Sequence, residues 1–529
     1  MTTPARPISG GPLPGGDLGT LVEAFLSLDG RPGRWMQVGP AGSPRPYTGG
    51  QVVELARRWR RALQEAGVRP GSRVAILLPN DERFVGAFFG AWLCGAAAVP
   101  LAWPATTLDA RRVVALRPLV EAADPAVIVT DEALADHFPV RAVTHPDSVA
   151  VGHDVLPAPG DTAFIQFTSG SLGRPKGAVI THAAAAACVY AMGHAVGASE
   201  ADVAVSWLPL FHDMGLVGGL LTPVAYRFPV TLLSPGEFLL HPGRWLDRAA
   251  AEGITTAAAP DFAWRLCTRR VGSVRGSLSS WRVAISGAEP VHRSTLDAFV
   301  AKFRSHGFGR DTFRPAYGLA ENTLAACIYD PARPEGDASV HGRAIPSVGA
   351  PIAGNEIRVV DADGRDCPEG QEGEIRVRSA SLMSGYFRDE AASAAALVDG
   401  WLRTGDLGVV TGGQLHVSGR AKELVIQNGS KFHPYDIERV ATDAVDATVA
   451  GAAAYVLPTG EGEILVLAAE VPASKAEGAD RRIRGAVLEA LGVRIDRVVV
   501  VAPGSLPRTS SGKIRRVEVP QFVEASHGA

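Results

Sequence analysis

The sequence predicts a two-domain α/β protein. A large, multi-layer N-terminal domain, with parallel-rich sheets and an antiparallel portion, would precede a small α+β C-terminal domain. The first reason is length, because 529 residues exceed what a single hydrophobic core organises. The second is that continuous apolar runs alternate with helix-like stretches, as is typical of parallel strands covered on both faces. The third is a later region of alternating apolar and polar residues, which indicates antiparallel strands.

The predicted buried strands are short apolar runs that end in turn residues. They lie at 73–80, 126–131, 163–170, 203–209, 254–260 and 281–290. Between them, residues 51–67 place their apolar side chains on one face and predict an amphipathic helix. Residues 84–105 carry no charge over a span long enough to cross a membrane. Because Pro100 and Pro104 interrupt this span, a buried helix leading into a buried strand is the better interpretation.

The later part of the chain changes character. Residues 356–418 alternate apolar and polar positions between turn signals, so we expect an antiparallel sheet. The last hundred residues then predict a helix at 433–445, two strands, a helix at 481–492 and a final strand. We place the domain boundary near Gly419–Lys422. The two predicted domains are residues 1–420 and 421–529.

Composition excludes several classes of partner. The formal net charge of −3 provides no extended positive field, so we expect neither nucleic acid nor a membrane surface as a partner. Five scattered cysteines without a CxxC pair argue against a disulfide framework or a zinc site, and they fit a reducing compartment. The first twenty residues lack the layout of a secretory signal. The sequence therefore predicts a cytoplasmic protein.

The most informative stretch is FTSGSLGRPKGAVITH, at 167–182, which follows a predicted strand. Glycines let backbone N–H groups face a common centre, hydroxyl side chains add donors, and one lysine adds positive charge, so the loop suits phosphate oxygens. The spacing does not fit a Walker A loop. A glycine- and serine-rich surface turn with a solvated lysine is the alternative. The candidate phosphate-binding residues are Thr168, Ser169, Gly170, Ser171, Gly173 and Lys176.

This loop resembles the phosphate-binding signature of the adenylate-forming superfamily, which includes acyl-CoA synthetases and fatty acyl-AMP ligases. Further resemblances follow in the family's order. They are LPLFHDMGL at 208–216 for the acid site, SGAEP at 286–290 and AYGLAE at 316–321 for adenine, LRTGDLG at 402–408 for ribose, SGRAKELVIQNG at 418–429 for the hinge, and LPRTSSGKIRR at 506–516 for the C-terminal lysine. The resemblance implies that the small C-terminal domain is a mobile lid.

The resemblance also implies a two-step reaction. A carboxylic acid, fatty or otherwise hydrophobic, attacks the α-phosphorus of ATP and gives an acyl-adenylate and pyrophosphate, with Mg²⁺ as the metal. A thiol of CoA, or of the phosphopantetheine arm of an acyl carrier protein, then displaces AMP. In a reaction of this kind at phosphorus, the protein mainly has to position the reacting groups and neutralise their charge.

The implied nucleotide site draws on the adenine, ribose and hinge motifs. Tyr317 would stack on adenine, the Asp406 carboxylate would accept both ribose hydroxyls, and Glu321 would hold Mg²⁺. The other implied nucleotide contacts are Gly287, Ala288, Glu289, Pro290, Gly318 and Arg420. Taken singly, these residues would be a core tyrosine, a turn aspartate and surface charges.

The implied catalytic residues are Lys513, Glu321 and His212. Lys513 would neutralise the attacking carboxylate and the α-phosphate in the transition state, and Lys422 would be the hinge. The implied acid pocket consists of His212, Asp213, Met214, Gly218 and Gly287. The alternatives are a solvated basic tail for Lys513, an exposed lysine for Lys422 and a core histidine for His212.

Departures from the family pattern leave the acceptor open. Leu172 replaces a threonine of the phosphate loop. Ala320 replaces a threonine found in many acyl-CoA synthetases, and fatty acyl-AMP ligases often share that alanine. Fatty acyl-AMP ligases typically carry an insertion after the YGLAE region, but only the 27 residues at 322–348 separate Glu321 from Gly349. This short connection favours an acyl-CoA synthetase narrowly over a ligase that serves a carrier protein. A catalytically degenerate nucleotide-binding protein is the alternative from another class.

Overall fold

The structure is a computed structural model with a large N-terminal part and a small C-terminal unit. It describes residues 7–13, 19–103, 110–146, 152–168, 175–423, 425–427, 430–445, 451–459, 462–508 and 514–527. Parallel-rich sheets, an antiparallel sheet and surrounding helices form the N-terminal part, which confirms the predicted fold class.

The first sheet is parallel except for its last strand. In spatial order its strands are Ala142–Val143, Val127–Thr130, Arg73–Leu77, Ala97–Pro100, Thr162–Thr168 and Lys176–Thr181. The strands at 97–100 and 127–130 are buried at every position. Continuous burial explains why these segments are apolar throughout rather than alternating.

The second sheet has a parallel centre and antiparallel edges. In spatial order its strands are Ala350–Pro351, Ala325–Ile328, Phe313–Gly318, Val283–Ser286, Thr256–Ala259, Ala204–Ser206, Val230–Leu232, Arg34–Val38 and Arg45–Thr48. Because the strands from Arg34–Val38 to Phe313–Gly318 run the same way, their carboxyl ends meet at one edge.

The third sheet is antiparallel, as the alternating region predicts. Its strands are Ile8–Ser9, Asn355–Val360, Gly373–Ser379, Trp401–Thr411 and Leu397–Val398 in spatial order, with Gln414–Arg420 also paired to Trp401–Thr411. Buried and half-buried positions alternate along residues 373–377. A single apolar cluster joins this sheet to the other two, since it contains Ile76, Leu232 and Ile375.

Helices cover the sheets of the N-terminal part. They are Val22–Leu26, Gly49–Glu65, Glu82–Trp92, Ala110–Ala123, Glu132–Ala135, His182–Val196, Thr222–Tyr226, Pro235–Leu240, Pro242–Glu252, Asp261–Arg270, Arg293–Phe303 and Glu390–Ala396. Thr48 and Gln51 form a capping box at the start of the predicted amphipathic helix.

The uncharged segment at 84–105 contains a buried helix that leads into a buried strand, as expected. The helix Glu82–Trp92 is capped by the Asp81 carboxylate, and the strand Ala97–Pro100 follows it. Every residue from Phe84 to Trp92 is buried. In the described part of the chain, no helix combines the length and the apolar character needed to cross a membrane.

The C-terminal unit is an α+β arrangement with its own apolar clusters. Its helices are Pro434–Ala444, Ala473–Ala476, Ala479–Leu491 and Val519–His527, and its sheet consists of Ala452–Thr459, Gly462–Glu470 and Arg497–Val501. Ile437, Leu467 and Ile483 pack together and are fully buried. Two short hairpins lie outside the sheets described above. Val425–Gln427 pairs with Ser430–Phe432 at the start of the C-terminal unit, and Ala338–Val340 pairs with Arg343–Ile345 in the N-terminal part.

The first helix of the C-terminal unit faces the N-terminal part. Asp436 pairs with Arg343 at 2.8 Å, and Asp443 pairs with Arg269. The ring of Tyr435 also stacks on His292, with centroids 5.2 Å apart. These contacts define the orientation in which the small unit rests.

Candidate active site

The predicted phosphate loop is closed by a β-hairpin of the first sheet. Strands Thr162–Thr168 and Lys176–Thr181 pair so that Thr168 lies opposite Lys176. The Thr168 hydroxyl donates a hydrogen bond to the Lys176 carbonyl at 3.4 Å. The two ends of the loop therefore meet at one edge of the sheet. The remaining predicted loop residues, Ser169, Gly170, Ser171 and Gly173, lie outside the described residues, as does Leu172.

Tyr386 connects the predicted phosphate lysine to the predicted metal ligand. Lys176 Nζ lies 4.8 Å from the centre of the Tyr386 ring, a cation–π contact. The Tyr386 hydroxyl donates to Glu321 Oε1 at 2.8 Å. Backbone bonding holds the tyrosine in place, because Phe387 N donates to the Gly177 carbonyl at 2.7 Å. Lys176 and Glu321 thus contact the same aromatic side chain, one over its ring and the other at its hydroxyl.

The electrostatic surroundings of Glu321 join several motifs. Burial raises the pKa of Glu321, the hydrogen bond from Tyr386 and the charge of Arg420 lower that pKa, and the charge of Asp213 raises it. Burial, followed by the Glu321 carboxylate, raises the pKa of Tyr386. Because Asp213 and Arg420 both act on Glu321, the acid-site motif and the end of the ribose hairpin lie in the same region as this carboxylate.

The surroundings of Glu321 are compatible with a Mg²⁺ ion that is also bound by nucleotide phosphates. Mg²⁺ is usually held by one or two carboxylates together with substrate phosphate oxygens. Among the residues with described positions, no group of three or more His, Cys, Asp and Glu side chains could hold a metal by itself. A lone carboxylate beside a predicted phosphate loop is therefore compatible with nucleotide-borne Mg²⁺.

The predicted adenine and ribose residues are bonded to each other. The buried Tyr317 hydroxyl donates to Asp406 Oδ2 at 2.8 Å, and Arg420 Nε donates to Asp406 Oδ1 at 3.0 Å. Burial raises the pKa of Asp406, whereas Arg420 and Tyr317 lower it. Burial and then Asp406 raise the pKa of Tyr317. Each carboxylate oxygen has two lone-pair sites, so both oxygens of Asp406 can accept one further donor.

This cluster has a simple origin in the fold. Asp406 and Arg420 are paired residues of adjacent antiparallel strands in the third sheet. Tyr317 lies near the carboxyl end of a strand in the second sheet. Two sheets therefore contribute one carboxylate and its two donors.

The SGAEP turn follows the neighbouring parallel strand. Ser286 ends Val283–Ser286 and lies in register with Pro315, so both adenine motifs leave the sheet at the same edge. Ala288 adopts a left-handed backbone with φ of +64°. A Cβ on Gly287 would lie 3.1 Å from the Ala316 carbonyl oxygen, a tight contact with the backbone. The Glu289 carboxylate accepts the Phe262 N–H at 3.1 Å, and Pro290 follows it.

Gly318 is also required by a close backbone approach. A Cβ at this position would lie 1.9 Å from the Leu324 carbonyl oxygen. Substitution would therefore displace the turn that carries Glu321, which lies in the 3₁₀ turn Ala320–Asn322. The YGLAE spacing is thus a packing requirement as well as a functional signature.

The predicted acid-site motif precedes a π-helix. His212 Nδ1 lies 2.6 Å from Asp213 Oδ1, and a π-helix spans Met214–Leu221. Met214 is buried, whereas Gly218 is partly exposed and faces the Leu324 side chain, 3.6 Å from where its Cβ would lie. π-Helices are rare in proteins, and those that occur are often found at functional sites.

The hinge and the C-terminal lysine lie at either end of the C-terminal unit. Lys422 is exposed in a 3₁₀ turn at Ala421–Glu423. Lys513 lies outside the described residues, but Arg508 and Ile514 on either side of its loop form an antiparallel bridge. The ends of that loop are therefore adjacent.

Sequence reasoning missed three features of this region. They are Tyr386, the π-helix, and Gln166, whose amide donates to the Phe211 carbonyl at 2.6 Å and ties the acid-site motif to the strand before the phosphate loop. Tyr386 stands in an ordinary Gly-Tyr-Phe stretch that carries no signal of its own. Its place at Glu321 depends on backbone pairing between distant segments.

Comparison with known proteins identifies the family. The family described as AMP-binding enzyme matches residues 27–387. The 4-hydroxyphenylalkanoate adenylyltransferase of Mycobacterium marinum is 32% identical over 90% of this chain and 86% of its own length. The long-chain-fatty-acid–AMP ligase FadD26 of Mycobacterium bovis is 32% identical over 90% of this chain and 91% of its own.

Solved structures agree with this assignment. A structure from a study of fatty acyl-adenylate ligases from E. coli and L. pneumophila superimposes with a TM-score of 0.85 at 29% identity, covering 98% of this chain and all of that one. The predicted superfamily and the predicted ligase class are therefore confirmed. The chain belongs to the AMP-binding enzyme family of adenylate-forming ligases.

Proposed function

We propose that this enzyme activates a hydrophobic carboxylic acid as an acyl-adenylate and passes the acyl group to a phosphopantetheine thiol. The observation that carries the proposal is the convergence of Lys176 from the first sheet, the bonded pair Tyr386 and Glu321, and the Asp406 cluster from the second and third sheets. Acyl-adenylate formation is the chemistry to which the family assignment points.

The nucleotide would bind across this convergence. Residues 168–176 would receive the phosphates, because Lys176 supplies charge at the closed end of a hairpin. Asp406 would accept the ribose hydroxyls on its unused lone pairs, and Tyr317 would present its ring to adenine opposite the 286–290 turn. Glu321 would hold Mg²⁺, which when bound supplies positive charge to the phosphate oxygens.

The acid would approach along the segment that follows His212. A hydrophobic acid is supported by the names of the relatives, which describe long-chain fatty acids and 4-hydroxyphenylalkanoates as their acids. The apolar π-helix at Met214–Leu221 offers a matching surface. His212, Asp213, Met214, Gly218 and Gly287 would contact or control access to this part of the substrate.

The small unit would supply the remaining charge. We propose domains at 1–420 and 421–529 that pivot at Lys422, so that Lys513 reaches the carboxylate and the α-phosphate during adenylation. A cation placed between these two anions helps most in the transition state, where catalysis is gained.

The acceptor is either free CoA or a carrier protein, which share the phosphopantetheine thiol. The short connection at 322–348 favours CoA, and the structure fills part of it with the hairpin Ala338–Ile345. The name of FadD26 describes an AMP ligase and supports the carrier protein. The adenylate chemistry is common to both.

ATP–pyrophosphate exchange with a panel of aromatic and aliphatic acids tests the proposal. We expect exchange with at least one hydrophobic acid and a loss of about 100-fold or more in the Lys513→Ala variant. Lys475→Ala is the matched control, because Lys475 belongs to the same unit but not to a motif. Binding of ATP without exchange for any acid would instead favour the degenerate nucleotide-binding protein.

Supplying CoA or a phosphopantetheinylated carrier protein to the adenylate-loaded enzyme then identifies the acceptor. Mass spectrometry of the thioester distinguishes the two. Release of free acid with both acceptors present would exclude the proposed transfer step.

A further inference from the structure

We infer that Arg516 is a positioning residue that fixes the chain directly after Lys513 to the segment immediately after the hinge, which confines the pivot to Ala421–Lys422. This inference rests on the proposed roles of Lys513 and Lys422. Its central residues, Arg516, Glu423 and Glu438, belong to none of the nucleotide or acid contacts described above.

Arg516 joins three segments of the chain through three hydrogen bonds. Its Nε and Nη2 donate to the two oxygens of Glu438 at 2.6 and 2.8 Å, and its Nη1 donates to Glu423 Oε2 at 2.5 Å. The Arg516 side chain is only 22% exposed. Two carboxylates raise the pKa of Arg516 against the opposing effect of burial. A bidentate arginine–carboxylate pair fixes geometry as well as charge.

Each partner of Arg516 belongs to a different element. Glu438 lies on the helix Pro434–Ala444 and also accepts the Ala454 N–H at 2.9 Å, so it is part of the body of the C-terminal unit. Glu423 ends the 3₁₀ turn that contains Lys422. Arg516 therefore joins the hinge segment to the body of the small unit.

The loop with Lys513 is held on both of its sides. Arg508 Nη2 donates to the fully buried Glu470 at 2.7 Å, and Glu470 also accepts the N–H of Leu506 at 2.9 Å. Arg515 N donates to the Pro507 carbonyl at 2.8 Å. Arg516 follows at once, three residues after Lys513. Arg508 and Ile514, which flank the segment that contains Lys513, are thus attached to the same body as Glu423.

The hinge is bracketed by two arginine–carboxylate pairs. Arg420 bonds to Asp406 on the N-terminal side at 3.0 Å, and Glu423 bonds to Arg516 on the C-terminal side. Only Ala421 and Lys422 lie between them, and both are exposed. We therefore expect backbone rotation to be confined to these two residues, with Arg516 moving together with Glu423, the first residue beyond them.

The test separates the two half-reactions in Glu423→Gln and Arg516→Lys. Glu423→Gln removes the negative charge from the hinge bond and so weakens it, while the bidentate pair with Glu438 stays. Arg516→Lys keeps the charge but not the fork. We expect kcat for ATP–pyrophosphate exchange to fall about 10-fold or more in both, with KM for ATP and acid within about threefold. Thioester formation from supplied acyl-adenylate should stay within about threefold. A purely structural role would lower both half-reactions together.

Glu518→Gln is the matched control, because Glu518 pairs with Arg515 at 2.7 Å in the same segment but does not contact the hinge. It should leave both half-reactions unchanged. Glu423 is 39% exposed, so its variant should fold even if Arg516→Lys does not. Wild-type exchange in folded Glu423→Gln would overturn the inference. Wild-type exchange in Lys513→Ala would instead refute the proposed function.

Discussion

The hydroxyl of Tyr386 tests the local chemistry of the site most cleanly. In Tyr386→Phe the ring that contacts Lys176 stays, and only the hydrogen bond of 2.8 Å to Glu321 is lost. That bond lowers the pKa of Glu321 against the effect of burial. Because the donor favours the ionised carboxylate, its removal raises the pKa of Glu321.

The size of the effect follows from the strength of the bond. A hydrogen bond to a charged group contributes about 1.5–3 kcal/mol, and the half-buried setting places this one near the lower end. Loss of about 1.5 kcal/mol of stabilisation of the ionised form therefore raises the Glu321 pKa in the variant. If Mg²⁺ requires the ionised carboxylate, the acid limb of kcat/KM for ATP moves to higher pH.

The assay is ATP–pyrophosphate exchange between pH 5 and 9 at saturating acid. Well above the shifted limb, kcat/KM should differ from wild type by less than about tenfold. Tyr226→Phe is the control, because its hydroxyl donates to the Tyr190 carbonyl at 3.1 Å, a bond that involves none of the site residues. An acid limb at the wild-type pH in Tyr386→Phe would refute the proposed role of Glu321.

Three further predictions follow from the geometry. Asp406→Asn should raise KM for ATP about tenfold or more, because it removes the negative charge that pairs with Arg420 and would accept the ribose hydroxyls. An unchanged KM in a titration with ATP would contradict this. Lys422→Pro should impair thioester formation much more than exchange, because it stiffens the pivot, and equal losses in both half-reactions would argue against it. Burial lowers the pKa of His433 to about 4 from 6.5, so the unfolded chain takes up this proton at a higher pH than the folded chain does. The stability that depends on neutral His433 is therefore fully present above pH 6.5 and declines toward pH 4. The contribution lost is about 3 kcal/mol, and urea titrations of wild type and His433→Gln should differ in their pH dependence between 7 and 5, whereas parallel curves would exclude it.

Much of the fold follows from local patterns in the chain. The apolar runs at 73–80 and 126–131 contain strands because both faces of the first sheet are covered, so burial alone dictates the composition. The alternation at 356–418 reflects a sheet with one buried face. These properties depend on neighbours in sequence, which a single chain displays.

The contacts of the site depend on distant segments and are harder to predict. Asp406 was identified from its motif, but its bonds to Tyr317 and Arg420 require two sheets to meet. Tyr386 reaches Glu321 because residues 384–387 pair with the strand Lys176–Thr181, and no pattern around Tyr386 signals that pairing. The π-helix depends on glycines that let its backbone approach Pro209 and Ser206 closely. In the sequence, such close tertiary contacts are marked only by a glycine, which does not indicate the contact by itself.

The source of the oxygen in AMP tests the central claim most directly. The acid is supplied with both carboxylate oxygens labelled with oxygen-18, together with ATP, Mg²⁺ and the acceptor thiol, and the released AMP is analysed by mass spectrometry. Attack of the carboxylate on the α-phosphorus predicts one labelled oxygen in each AMP, with pyrophosphate unlabelled. Unlabelled AMP, or ADP and phosphate as the products, would contradict an acyl-adenylate intermediate.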